Sequence, residues 1–220
     1  MSTSNLSSVV SFGAPDKRSP PPRAVSGFRS ASRLPLSRVF VRGTPFAPVE
    51  AFVRSQFKEG GWHHFVSLLD PAAREVVTQP VIATNWYPFP IALSLIDHLV
   101  ILAEGRVSVL RDFAIHNLDY ATNVVFRAIF KVGSPQFMVA RSDQVWKKYY
   151  STGHMVCDVG HGHSRVELHD FPYLTPNYEK LLVHSIEAVL MKAGARLTRI
   201  AVTKSAIHGD KLTEFTHEWV

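Results

Sequence analysis

The sequence predicts an α+β fold, with helices packed on a small antiparallel sheet. Three observations predict it. A capping residue followed by proline recurs at Thr44-Pro45, Asp70-Pro71, Ser134-Pro135 and Thr175-Pro176, the arrangement that starts helices. The apolar period then changes from helical to alternating at His154. The last 46 residues read as one helix followed by two strands. Helices first, then hairpin, helix and hairpin is the order of an α+β domain.

Residues 1–38 contain ten serines and five prolines and few large apolar groups. Such a composition cannot bury enough surface to offset the entropy of ordering, so a disordered tail is expected. Its six basic residues stand against Asp16 alone, which is +5 of the chain's formal +6. The globular part, 39–220, is nearly neutral, with 18 basic and 17 acidic residues. That argues against specific nucleic-acid binding by the fold, which would carry the basic patch itself. The plain reading of the tail is a solvated extension. An arm for nucleic acid, membrane or a partner is an alternative, as is a transit peptide.

Val39 to Val41 reads as a short strand. Val49, Phe52, Val53 and Phe57 form a helical stripe after Thr44-Pro45. Phe89 to Ala103 and Val107 to Lys131 are apolar enough for buried helices, the second breaking near His116-Asn117. Pro135 to Tyr150 is helical, restarting at Ser142. His154 to Asp158 and Ser164 to Asp170 alternate as strands about the turn Gly160-His161-Gly162-His163. Leu182, Ile186, Val189, Leu190 and Ala193 mark the next helix, and Gly194 fits its left-handed end. Arg196 to Lys204 and Leu212 to Trp219 close the sheet, with Phe215, His217 and Trp219 on one face. No apolar run approaches the roughly 20 residues of a membrane helix.

Strong catalytic motifs are lacking. His154, Cys157, His161, His163 and His169 are metal-ligand types, but their spacing matches no closed site and a polar turn is expected. Cys157 alternates with Met155 and Val159 as a core-facing position, not as an exposed nucleophile. As the single cysteine it excludes an internal disulfide and fits a reducing, cytoplasmic setting. Glu59-Gly60-Gly61-Trp62 lacks the lysine and strand context of a phosphate loop. Aromatics cluster at Trp86 to Phe89 and Trp146 to Tyr150, where they either line a pocket or fill the core. His116 and Tyr120, one turn apart, are candidate polar groups for such a pocket.

Val41-Arg42-Gly43-Thr44, Trp86-Tyr87-Pro88, Gly133-Ser134-Pro135, Trp146 with Tyr149-Tyr150 and Gly153, and Gly209-Asp210 with Phe215 and Trp219 resemble an uncharacterised paralogous family of myxobacteria over about 39–219. More distantly the layout is similar to the haem-nitric-oxide-binding, 4-vinyl-reductase and TRAPP-like group. That resemblance implies an α/β scaffold enclosing a small ligand or mediating assembly, without catalysis of its own. Where haem-binding members carry a proximal histidine, this chain has Val124. Their Tyr-x-Ser-x-Arg clamp has no counterpart near Ser164 to Phe171. Ser205 and Thr213 stand where vinyl-reductase-like members place cysteines.

The expected function is therefore a non-enzymatic small-molecule-binding or signalling module. Its apolar pocket would lie between helices and sheet, lined by His116, Tyr120, Val124, Trp146 and Tyr150. No cofactor or metal is expected. The alternative is a protein-interaction or assembly subunit tethered by the basic tail. The partner is an apolar small molecule or a protein, a second copy of the chain included.

Overall fold

A computed structural model describes residues 35–121 and 133–220. A short strand β1 (Phe40–Arg42) pairs antiparallel with β2 (Trp86–Pro88). Between them run α1 (Val49–Gln56), α2 (Gly61–Leu68) and α3 (Pro71–Val77). Two long helices follow, α4 (Phe89–Leu102) and α5 (Val109–Ala121). After the undescribed stretch come α6 (Pro135–Val139) and α7 (Ser142–Tyr149), then β3 (His154–Gly160) and β4 (His163–His169). The chain closes with α8 (Pro176–Lys192), β5 (Leu197–Lys204) and β6 (Thr213–Trp219). The second sheet runs β3-β4-β6-β5, antiparallel throughout. The α+β expectation is met.

Three of the four cap-proline pairs start helices. The Asp70, Ser134 and Thr175 side chains accept from the N–H groups of Ala73, Phe137 and Tyr178. Thr44 does not. Its N–H and its hydroxyl both donate to Ala83 O at 3.0 Å, so the residue is committed to the segment before β2, and α1 begins only at Val49. The long helix expected from Val107 passes through His116-Asn117 without a break. Its expected continuation lies outside the described residues. Gly194 follows α8 at φ 93°, as the left-handed helix end requires.

α4 is buried along most of its length, with Phe89, Ala92, Leu95, Ile96 and Leu99 at 1% exposure or less. That suits a helix surrounded by others. α5 and α8 lie side by side and are clasped on the outside by two ion pairs. Arg111 meets Glu187 with its Nη2 2.7 Å from Oε1, and Lys192 Nζ lies 2.5 Å from Asp119. On the sheet, Val166, Leu168, Phe215 and Trp219 turn inward, which is the face the alternation of β6 predicts.

Candidate functional site

A cavity of about 230 Å³, partly open to solvent, lies between α5, α6, α7 and α8, with Met155 of β3 and Thr44-Pro45 also lining it. Its α5 wall is Ala114, Asn117, Leu118 and Ala121, and its α8 wall is Leu182, Ser185, Ile186 and Val189. Both sets follow i, i+3, i+4, i+7, so each is one helix face. Small residues, Ala114, Ala121 and Ser185, stand where larger ones would fill the space between the helices. That is the local origin of the gap.

The third wall is aromatic. Trp146 and Tyr150 stack with ring centroids 3.8 Å apart and planes at 12°. Trp146 Nε1 donates to Thr152 O at 2.9 Å, and its ring meets Phe171 edge-on at 4.9 Å. Gly153, at φ 78°, lets the chain pass under the indole, since a Cβ there would stand 3.0 Å from Nε1. Tyr150 is tied to β1 by a bridge to Val41. Its hydroxyl shares a 2.8 Å hydrogen bond with that of Tyr178. Burial pushes the phenols of Tyr149 and Tyr150 up to about 12, so both are neutral at any physiological pH.

Of the five residues that the sequence picks out, Trp146 and Tyr150 line the cavity. His116 and Tyr120 do not. They lie along a different face of α5, with the His116 ring 5.5 Å from that of Phe52. Val124 lies outside the described residues. Sequence reasoning missed Ala114, Asn117 and Ser185. Their signal was a run of small or polar side chains at helical spacing inside otherwise apolar stripes.

The histidine group does not converge on one point. His154 and His169 pair across β3 and β4 with rings stacked 5.1 Å apart. Each meets a carboxylate instead, Asp170 at 3.4 Å and Glu167 at 2.8 Å. Cys157 points to the opposite face of β3, and burial raises its thiol pKa. Among the described residues no three His, Cys, Asp or Glu side chains are gathered for a metal.

These elements recur in solved structures. An Fe(II) unliganded H-NOX protein from K. algicida superposes with a TM-score of 0.63 at 13% identity, over 81% of this chain and 96% of that one. The fold is that of the H-NOX domains. An H-NOX protein from S. oneidensis in the Fe(II)NO state gives 0.61 at 11% identity, over 81% and 99%. An oxygen-binding H-NOX domain related to soluble guanylate cyclases gives 0.57 at 10%, over 81% and 94%. No protein-family model matches the chain, and no curated protein matches its sequence.

Haem, which that fold implies, is not matched by the described wall. Haem iron is held by histidine, cysteine, tyrosinate, or methionine beside histidine. The cavity offers Met138, Met155, Tyr149 and Tyr150. Both phenols resist ionisation, and no imidazole accompanies the thioethers among the described lining residues. Among the described lining residues there is no lysine or arginine to pair with a propionate. The volume, 230 Å³, is below the roughly 300–1,000 Å³ of drug-sized sites, and haem is a ligand of at least that size.

Proposed function

We propose that this chain is a non-enzymatic binding module whose ligand is a small, uncharged, apolar molecule held between α5, α7 and α8, with occupancy as its signal. The observation that carries the reading is the cavity itself, an unfilled space lined by aliphatic and aromatic side chains and by no charged group among the described residues. Catalysis has no support in this wall. Its described residues include no carboxylate, imidazole, thiol or amine to act as nucleophile, acid or base. An unfilled space between helices favours ligand binding over the assembly-subunit reading.

The H-NOX neighbours support the same class of function. Among them are H-NOX proteins in the Fe(II)NO and Fe(II)CO ligation states and one in complex with oxygen. The reading here keeps a small-molecule site on the shared scaffold and leaves out the haem. It also fits the resemblance to the 4-vinyl-reductase and TRAPP-like group. No helix of the described residues is long and apolar enough to cross a membrane.

A thermal-shift screen of the full chain tests the reading. A ligand at 100 times its Kd stabilises by about 2.7 kcal/mol. At this size that is roughly 5–10 °C in Tm. Small uncharged apolar compounds should reach that range and haem should not. Stabilisation by haem, or by nothing in the screen, would overturn the proposal.

A further inference from the structure

Size and wall chemistry narrow the ligand. An apolar cavity of about 150 Å³ accepts benzene, roughly 25 Å³ for each carbon. On that scale the space of about 230 Å³ holds about nine carbons. The α5 wall from Ala114 to Ala121 and the α8 wall from Leu182 to Val189 each run about 10 Å, at roughly 1.5 Å per residue. A chain can therefore lie along the two helices. The space is partly open to solvent, so one end of such a chain meets water.

The wall favours an aliphatic occupant over an aromatic one. Its two stacked rings already hold aromatic neighbours within the protein. Trp146 lies on Tyr150 and meets Phe171 edge-on at 4.9 Å. Tyr150 meets Phe89 and Phe171 edge-on at 6.1 and 5.7 Å. The preference of rings for ring partners is thus met before a ligand enters. Leu118, Met138, Val145, Leu182, Ile186 and Val189 line the same space and reward burial by area, without regard to direction.

Two neighbours on α8 bound the space. Ser185 is small, and its hydroxyl donates to Leu181 O of the same helix at 2.7 Å. A larger apolar group there would leave no partner in another element unpaired. Ile186, beside it in the wall, is large, and trimming it would lengthen the space.

We infer that the cavity takes a neutral medium-chain aliphatic molecule of about nine carbons, its polar end left at the open mouth and its length limited by Ser185 and Ile186. This rests on the small-molecule reading above and adds the ligand class.

The test is a binding titration of the full chain with the unbranched alcohols from 1-pentanol to 1-tetradecanol, and with naphthalene. Each buried carbon should tighten binding about fourfold, up to about nine carbons. Carbons beyond that stay in water at the mouth and should add almost nothing. 1-Nonanol should bind tighter than naphthalene, a flat molecule of similar carbon count. A gain that stops well short of that length, a gain that continues to 1-tetradecanol, or tighter binding of naphthalene overturns the ligand class and leaves the small-molecule reading standing. If neither the alcohols nor naphthalene bind, both fall.

Three variants place the site. Ala114→Phe fills the cavity and should abolish 1-nonanol binding. Ser185→Leu adds two heavy atoms to the wall and should move the break in the series down to about seven carbons. Ile186→Ala removes three and should move it up to about twelve, on the same scale of one carbon for each atom gained or lost. Opposite shifts at an unchanged gain per carbon are a readout that mere destabilisation would not give. A break unmoved in both overturns the assignment of these residues, and Ile186→Ala decides the matter even if Ser185→Leu does not fold.

Discussion

His217 should make the fold acid-sensitive well before its carboxylates do. The side chain is 1% exposed on the inner face of β6. Its Nδ1 meets Ser164 Oγ at 3.0 Å, and its Nε2 is buried without a partner among the described residues. A charged imidazole there would lose its hydration with nothing to replace it. Burial accordingly lowers the pKa from 6.5 to about 4. The unfolded chain therefore binds a proton between those values that the folded chain refuses, and stability falls as pH falls through that window. The difference amounts to roughly 3 kcal/mol in full, of which about 2–3 kcal/mol is lost between about pH 7 and about pH 4.5. Glu187 and Glu214 also have lowered pKa values. At Glu187 burial works to raise the pKa, but the hydrogen bonds to Arg111 and His184 together outweigh it, and at Glu214 hydrogen bonds to Thr203 and Lys204 hold the carboxylate ionised. Their contribution is lost only below the unfolded carboxylate range and is common to any His217 variant. The assay is urea unfolding of the native chain and His217→Leu at both pH values. The variant should be less stable at neutral pH, because Ser164 loses its partner, and its stability should fall less on acidification by about 2 kcal/mol. Equal losses in the two proteins would refute the reasoning.

Two further perturbations follow from the aromatic wall. Tyr178→Phe strands the Tyr150 hydroxyl and should cost about 1–3 kcal/mol in urea unfolding. Tyr150→Phe combined with it should recover part of that loss, because removing both partners leaves nothing unpaired. Gly153→Ala forces a side chain into the left-handed region and against the Trp146 indole and Phe171. It should lower stability by at least about 1–2 kcal/mol and shift the fluorescence of the buried tryptophans, where an unchanged midpoint would contradict the packing described.

The fold was legible where local chemistry decides structure, as at Asp70, Ser134 and Thr175, whose side chains do what their sequence context implies. It was not legible where a distant partner competes. Thr44 has the same signature, yet its donors go to Ala83, thirty-nine residues away. β2 was read only as an aromatic cluster, because a three-residue strand is defined by its partner β1 and not by its own alternation. The site divides in the same way. Trp146 and Tyr150 stood out as aromatics, and both line the cavity. The gap beside them is made by small residues on two helices that meet only in the folded chain. His116 carried a chemical signal, but its position around α5 turns it to Phe52 and away from that gap.

The central claim is that the space between α5 and α8 holds a small molecule. Native mass spectrometry of the full chain with 1-nonanol tests it most directly, since the measurement reports bound ligand and the number of chains together. The account predicts one ligand per chain, lost in Ala114→Phe. An unliganded native chain at saturating probe, or a bound ligand undiminished in a folded Ala114→Phe protein, would contradict it.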